Sequence, residues 1–313
     1  MKHELTNLAA SVNQRLLNLR DSRKEDFQII LNRFGLERFL YRISKSPLAD
    51  RLILKGAFSF ELWGKELYRP TRDVDLLTYL EPSREEVRRA FSMICEQEVE
   101  PDGLNFDPKT VSVDAIRGPD ILGGLRVRLT AHMQRIRIPL QFDVAFGMRI
   151  KPKPRTATFP TILPFPAPRI LIYPKELTIA DKYHAICKLG MLNSRVKDYY
   201  DIYRLSRYFR FMGAALKKGI NTIFKQEGYT VPSGTPDALS DEFARLPEKG
   251  ILWKRFTAKI EQDSLDLTLF QVIESLREFI LPPARAAAER KPFYFVWPAG
   301  GPWTKKGESN GSL

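Results

Sequence analysis

A proline-rich segment at residues 151–174 limits how this chain can fold. The segment, KPKPRTATFPTILPFPAPRILIYP, contains seven prolines. Because proline lacks a backbone N–H and fixes φ, so many prolines suit neither a helix nor a central strand. We interpret the segment as an extended crossing between two domains of different character.

The sequence before this segment mixes helices and strands. Apolar residues recur at helical spacing over the first 45 residues. Ser83 and Glu86 form a capping box for a helix that reaches about residue 97. Strand-like runs occur at 52–54, 73–80, 110–116, 124–131 and 135–146. This mixed order predicts an α+β core.

The sequence after the segment is helical in pattern. Thr178 is a candidate cap for a helix that reaches about residue 188. A second helix is predicted over 194–208, and further helical stretches reach about residue 281.

These patterns divide the chain into three parts. We predict a mixed α+β domain at 1–170 and a helical domain at 171–285. Residues 286–313 include Pro298-Ala-Gly-Gly-Pro302 and a polar end, and are predicted to form a flexible tail.

Composition and charge narrow the class of partner. The chain has 50 Lys and Arg against 37 Asp and Glu, a net charge of +13, which favours a polyanion such as nucleic acid as the partner.

No run of about 18 apolar residues occurs, so we expect no membrane span. Only Cys95 and Cys187 are present, without the paired spacing of a zinc or redox motif. We expect a cytoplasmic monomer.

Three aspartates are candidate metal ligands. Residues two apart in a strand share a face, so Asp73 and Asp75 point the same way, and Asp143 lies in a second apolar strand. Neighbouring carboxylates repel each other unless a cation lies between them. Convergent carboxylates hold the Mg²⁺ ions of phosphoryl and nucleotidyl transfer. The alternative is that Asp73 and Asp75 begin an edge strand and pair with neighbouring arginines.

Gly56 is a candidate phosphate-binding turn, because it lies between a predicted strand and a predicted helix. A glycine there lets the backbone approach a phosphate closely, and Ser59 adds a hydroxyl. The alternative is a simple turn.

Charged residues in the helical part are candidates for the rest of the site. Lys182 lies beside the apolar stripe of its helix and suits a triphosphate, and the alternative is a solvated surface lysine. Arg195, Asp198 and Asp201 lie along one helix face, either lining a cleft or forming a surface salt-bridge ladder. A basic run forms either a phosphate-tracking surface or solvated helix faces, and comprises Arg204, Arg207, Arg210, Lys217, Lys218 and Lys225.

Several short motifs occur in an order that resembles the AbiEii-type nucleotidyltransferase toxins, a family that includes the MenT toxins. The motifs are Lys55-Gly56-Ala57, Arg69-Pro-Thr71-Arg-Asp73-Val-Asp75, Asp143 before Phe146-Gly147, Ala180-Asp-Lys182 and Arg195-Val-Lys197-Asp198-Tyr-Tyr-Asp201. One departure is Ala57, where the family commonly has a second glycine or a serine. The backbone N–H groups remain available there.

The resemblance implies a fold and an activity. The fold would be a DNA polymerase β-like nucleotidyltransferase core with a mixed sheet, corresponding to 1–170, followed by a helical domain. The activity would be that of a toxin with a cognate antitoxin, transferring a nucleotide from a nucleoside triphosphate. In MenT-like members the acceptor is the 3′ end of tRNA, and the transfer blocks aminoacylation.

The resemblance also implies roles for particular residues. Asp73, Asp75 and Asp143 would bind Mg²⁺. Lys182 would contact phosphates, and either Asp198 or Asp201 would complete the catalytic site. The residues implied around the triphosphate are Lys55, Gly56, Ser59, Arg69, Thr71, Lys182, Arg195 and Lys197.

Three functions follow as hypotheses. The first is a toxin that transfers a nucleotide to tRNA. The second keeps the fold and transfers the nucleotide to a protein or small-molecule hydroxyl, although the net charge of +13 disfavours cationic antibiotics as acceptors. The third is a non-catalytic RNA-binding protein.

Overall fold

The structure is a computed structural model that describes residues 2–64, 73–116, 124–147, 150, 152–260 and 267–305. The chain divides into two compact units, Met1–Tyr173 and Pro174–Leu313. Among the described helices, none combines the length and apolar character that crossing a membrane requires.

The first unit combines helices with a mixed sheet. Helix α2 begins after Asp26, whose carboxylate accepts hydrogen bonds from the N–H groups of Gln28 and Ile29. Helix α3 is capped by Ser83, as predicted. The helices are α1 (Lys2–Arg23), α2 (Phe27–Lys45), a 3₁₀ helix (Ala57–Trp63) and α3 (Arg84–Cys95). The strands are β1 (Leu52–Lys55), β2 (Asp73–Thr78), β3 (Asn105–Ala115), β4 (Leu125–Met133), β5 (Ile136–Phe146), β6 (Arg155–Thr158) and β7 (Arg169–Ile172).

The strands of the first unit form one sheet. Within the described residues its seven strands have the order β3-β4-β5-β2-β1-β7-β6. Strand β2 pairs parallel with β5 and β1 pairs parallel with β7, whereas the other neighbours are antiparallel. The prediction of an α+β fold with a mixed sheet is confirmed.

The hydrophobic core lies between this sheet and helices α2 and α3. Phe39 of α2, Phe91 of α3 and Phe142 of β5 are fully buried, with ring centroids 4.7 to 5.7 Å apart. Because side chains alternate along a strand, this packing turns the odd-numbered residues of β5 towards the opposite face. That face carries the candidate site.

The interpretation of the proline-rich segment as an extended crossing between domains is wrong, because residues up to Tyr173 belong to the first unit. Two of its stretches, Arg155–Thr158 and Arg169–Ile172, are β6 and β7 of the sheet. Neither stretch contains a proline, because the seven prolines lie before, between and after them. Their N–H groups therefore remain available for pairing.

The second unit is mainly helical, as predicted. Helix α4 begins earlier than expected, so that Thr178 lies inside it and its hydroxyl donates to the carbonyl of Pro174 at 3.3 Å. The helices are α4 (Lys175–Leu189), α5 (Val196–Tyr208), α6 (Gly213–Gln226), α7 (Asp241–Arg245), α8 (Pro247–Thr257) and α9 (Leu269–Ala288). Short 3₁₀ helices occupy Gly190–Leu192 and Asp237–Leu239.

The prediction of a flexible tail from residue 286 is wrong for residues 286–305. Strands β8 (Phe211–Met212), β9 (Phe295–Trp297) and β10 (Thr304–Lys305) form a small antiparallel sheet. Trp297 is buried, with ring centroids 4.9 Å from Phe279 and 5.4 Å from Trp303. Aromatic packing therefore holds this segment. Residues 306–313 lie outside the described residues.

Candidate active site

The three candidate carboxylates lie on one face of the mixed sheet. Asp73 and Asp75 are in β2, and parallel pairing puts Asp75 directly opposite Asp143 of β5. Val74 and Leu76, which alternate with the aspartates, are fully buried on the other face. This register puts Asp75 and Asp143 next to each other, and Asp73 lies two residues before Asp75 on the same sheet face.

Arg126 of β4, which was not among the predicted site residues, joins this group. Its Nε and Nη2 atoms donate to the two carboxylate oxygens of Asp143 at 2.8 and 2.7 Å. The pKa of Arg126 is raised, chiefly by this hydrogen bond and also by the negative charges of Asp143, Asp73 and Asp75. The guanidinium therefore serves as a shared counter-charge for all three carboxylates.

Gly56 fits closely against Asp75. Its φ of +71° is unfavourable for residues with a side chain, and a Cβ at this position would lie 1.8 Å from Oδ2 of Asp75. The space left by the missing side chain is thus taken by the Asp75 carboxylate. Ser59 is buried, and its hydroxyl donates to the Gly56 carbonyl at 2.7 Å, which closes the turn.

Of the remaining residues predicted around the triphosphate in the first unit, Lys55 is described by the structure. Its Cα partner in the β1–β2 register is Asp75, and its Nζ lies 4.8 Å from the centroid of the Tyr173 ring. Arg69 and Thr71 lie outside the described residues.

A cavity of about 720 Å³ reaches Asp73 within the first unit. This volume is in the range of pockets that take small ligands. Its amide, hydroxyl and guanidinium groups suit hydrogen bonding to a nucleotide. The lining residues are Gln28, Ile29, Asn32, Asp73, Thr110, Arg128, Leu129, Thr130, Pro139, Leu140 and Gln141.

The candidate residues of the second unit form a buried ion cluster. Nζ of Lys182 donates to Oδ1 of Asp198 at 3.0 Å and to Oδ2 of Asp201 at 2.7 Å. The side chains of Asp198 and Asp201 are 0% and 1% exposed. The interpretation of these charges as a solvated surface ladder is therefore wrong.

Two basic residues next to the cluster are accessible. Arg195 donates through Nε to Oδ2 of Asp198 at 2.7 Å, and its side chain is 49% exposed. Lys197 is exposed. Arg204, by contrast, is buried with its guanidinium 4.8 Å from the Tyr208 ring centroid, so it does not belong to an open phosphate-tracking surface.

A family model described as nucleotidyl transferase AbiEii toxin, type IV toxin–antitoxin system, matches residues 38–290. The chain belongs to the AbiEii nucleotidyltransferase toxin family. The matched range includes every predicted site residue of both units. Membership in this family makes the chain a nucleotidyltransferase of a toxin–antitoxin system, which implies an antitoxin partner.

Two solved structures are similar to this chain at low identity. A nucleotidyltransferase candidate from H. pylori is 14% identical with a TM-score of 0.40, and the match covers 83% of this chain and 95% of that one. JHP933 from Helicobacter pylori is 13% identical with a TM-score of 0.39, covering 81% of this chain and 89% of that one. No curated protein matches the chain.

The carboxylates of the first unit have the donor chemistry of a divalent-metal site and share one sheet face. An all-oxygen donor set suits Mg²⁺. As they stand, no three His, Cys, Asp or Glu side chains in the described ranges are arranged to hold an ion. Both oxygens of Asp143 are bound by Arg126. An ion that uses Asp143 must therefore compete with this guanidinium for the carboxylate.

Proposed function

We propose that this AbiEii-family toxin transfers a nucleotide from a nucleoside triphosphate to the 3′ hydroxyl of tRNA in the cytoplasm, as MenT-like members do, and so blocks translation. The observation that carries the proposal is the register of Asp75 opposite Asp143, with Asp73 on the same sheet face. Family membership supplies the reaction class.

Asp73 and Asp75 are the proposed Mg²⁺ ligands, together with Asp143. Bound Mg²⁺ would supply charge neutralisation for the triphosphate and activation of the attacking hydroxyl in a two-metal reaction. Asp143 would accept the proton of that hydroxyl as the hydroxyl oxygen bonds to the α-phosphate and pyrophosphate leaves. Arg126, once released from Asp143, would then be available to bind a phosphate oxygen.

The cluster of the second unit has a proposed positioning role. Lys182 donates to two buried carboxylates, and moving it from them to a triphosphate would be unfavourable. We therefore propose that Lys182 and Asp201 fix Asp198, and that Asp198 in turn orients Arg195. Arg195 and Lys197, which are accessible, are the proposed phosphate-binding groups of this unit.

The net charge of +13 supports an RNA acceptor. A protein hydroxyl or a small molecule is the alternative acceptor, and RNA binding without transfer is the alternative function. The cavity beside Asp73 supports a nucleotide substrate over binding alone.

Labelled triphosphates distinguish these functions. The full chain is incubated with total RNA, Mg²⁺ and each α-³²P nucleoside triphosphate in turn. Label on tRNA-sized RNA is the expected result, and tRNA whose 3′ ribose has been oxidised with periodate should accept none. Label on protein, or equal labelling of the oxidised tRNA, would contradict the proposed acceptor.

A further inference from the structure

A groove of about 420 Å³ lies in the second unit. One wall is a stripe of helix α6, and the other is the segment Pro292–Tyr294, which lies beyond the range matched by the family model. The α6 residues that line the groove are Ala214, Lys217, Lys218, Asn221, Thr222 and Lys225.

Helix α6 has two distinct stripes. The stripe that packs into the unit is apolar and buried, and comprises Leu216, Gly219, Ile220, Ile223 and Phe224. Gly219 permits close packing on α4, because a Cβ there would lie 3.1 Å from the carbonyl oxygen of Glu176. The residues that line the groove also recur three and four positions apart, so they form a second stripe on another side of the helix. Burial of the first stripe therefore fixes the direction of the lysine-rich one.

The second wall is also fixed. The Phe293 ring packs directly against Gly213, where a Cβ would come within 2.4 Å of a ring carbon. The same ring lies 5.0 Å from the centroid of Trp303. Nζ of Lys217 donates to the carbonyl of Lys291, which ties this wall to α6. The groove is therefore a built feature of the unit.

The chemistry of the groove is cationic with an aromatic edge. Its described lining residues include Lys217, Lys218 and Lys225 and no acidic side chain. Lys218 and Lys225 are separated by about 10 Å along the helix axis, a span that reaches more than one phosphate. Tyr294, at the end of the other wall, is 71% exposed. Its ring is accessible for stacking.

We infer that the α6 groove binds single-stranded RNA, with phosphates on Lys218 and Lys225 and a base stacked on Tyr294. Basic side chains that follow the backbone, combined with an aromatic ring for the bases, are the usual means of binding single strands. An acidic peptide would use the lysines without needing an exposed ring. The inference deepens the proposed function, on which the choice of RNA rests.

Binding is measured by fluorescence anisotropy with a short fluorescein-labelled single-stranded RNA, the full chain, and neither triphosphate nor Mg²⁺. Lys218→Gln with Lys225→Gln should weaken binding at least tenfold at low salt. It should also lower the slope of log affinity against log salt by about 0.7 for each lysine. Tyr294→Leu should weaken binding by about tenfold.

The matched control is Lys254→Gln with Arg255→Gln, which removes the same charge from exposed positions of α8. It should change affinity by less than about twofold. Equal weakening by the control and groove variants would overturn the inference. The inference would also be overturned if Tyr294→Leu bound the RNA as tightly as wild type and polyglutamate displaced the RNA equally from both proteins. That result would assign the groove to an acidic protein.

Nucleotide transfer is assayed separately on the same variants. If RNA binding depends on the groove residues but no label is transferred to tRNA, the proposed function is contradicted and RNA binding by the α6 groove is supported. If label is transferred to tRNA but the groove variants bind RNA as wild type does, only the inference about the α6 groove is contradicted.

Discussion

Gly56 and Asp75 share one space in the first unit. A Cβ at Gly56 would lie 1.8 Å from Oδ2 and 2.7 Å from Cγ of Asp75. The turn after β1 and the carboxylate of β2 are therefore mutually dependent. The glycine is required because the carboxylate lies against the backbone, in addition to the positive φ of +71°.

Gly56→Ala should disturb both the fold and metal binding. Gly228→Ala is the matched control, because its φ is +66° and a Cβ added there would meet nothing within 4 Å among the described residues. The control should lose only about 1–2 kcal/mol of unfolding free energy through backbone strain. Gly56→Ala should lose more and should lose the Mg²⁺-induced rise in melting temperature. Equal losses in urea unfolding, with the Mg²⁺ effect retained in both, would contradict this relationship.

Arg126→Gln should make the first unit more dependent on metal. Without the guanidinium, three neighbouring carboxylates repel each other, so the metal-free protein should lose about 1–2 kcal/mol at low salt. Mg²⁺ should then raise the melting temperature more than in wild type, because no cation has to be displaced.

The control for this prediction is Arg128→Gln, two residues along the same strand. Arg128 pairs with exposed Asp114, and its loss should change stability by less than about 0.5 kcal/mol. Thermal unfolding with chelator and with Mg²⁺ makes the comparison. If Mg²⁺ stabilises Arg126→Gln no more than wild type, Arg126 does not act as the counter-charge.

Lys182→Met should strongly destabilise the second unit. The substitution removes the ammonium from the buried carboxylates of Asp198 and Asp201 and leaves Arg195 as a cation on Asp198, a change that costs up to about 3–5 kcal/mol. Lys197→Met removes an exposed lysine nearby and should stay within about 0.5 kcal/mol of wild type. Adding Asp201→Asn to Lys182→Met should restore part of the loss in urea unfolding. A stable Lys182→Met protein that has lost transfer would instead assign Lys182 to phosphate contact.

Glu37→Gln should change how stability depends on pH. Burial raises the pKa of Glu37 from 4.5 to about 8, against smaller lowering effects of its hydrogen bond from the Ile162 N–H and of nearby arginines. The folded state thus favours the protonated acid, and this contribution is full below about pH 4.5 and lost as pH rises towards about 8. Glutamine keeps the oxygen acceptor without the titration.

Urea unfolding at pH 5 and pH 9 tests this effect. Glu37→Gln should gain stability relative to wild type at pH 9, while Glu274→Gln, at an exposed position of α9, should not. Burial also raises the pKa of Glu61, to about 7, and Glu61 remains in the variant. The stability of Glu37→Gln should therefore still fall with rising pH, but less steeply than that of wild type. An unchanged pH profile in Glu37→Gln would show that the acid is not protonated in the fold.

Local alternation made much of the first-unit site predictable. The period of two along a strand separates Asp73 and Asp75 from buried Val74 and Leu76. The pairing of Arg126 with Asp143 was also predictable in principle. Strands β4 and β5 form a hairpin in which Met133 pairs with Ile136, and counting back from that turn pairs Arg126 with Asp143.

Long-range pairings were not predictable from local patterns. Nothing in the spacing of β2 and β5 specifies that they are parallel neighbours, because that choice depends on packing across the whole sheet. The pairing of Lys182 with Asp198 and Asp201 likewise depends on how α4 and α5 contact each other. Helix periodicity identified a charged face but not its burial.

Transfer of labelled nucleotide to tRNA by Asp75→Asn tests the proposed metal-dependent transfer most directly. Asp114→Asn, an exposed aspartate of the same sheet, is the control. We predict that Asp75→Asn lowers the initial rate by about a hundredfold or more while circular dichroism and melting show an intact fold, and that Asp114→Asn stays near wild type. Wild-type labelling of tRNA by a folded Asp75→Asn protein would contradict the assignment of Asp75 to the metal.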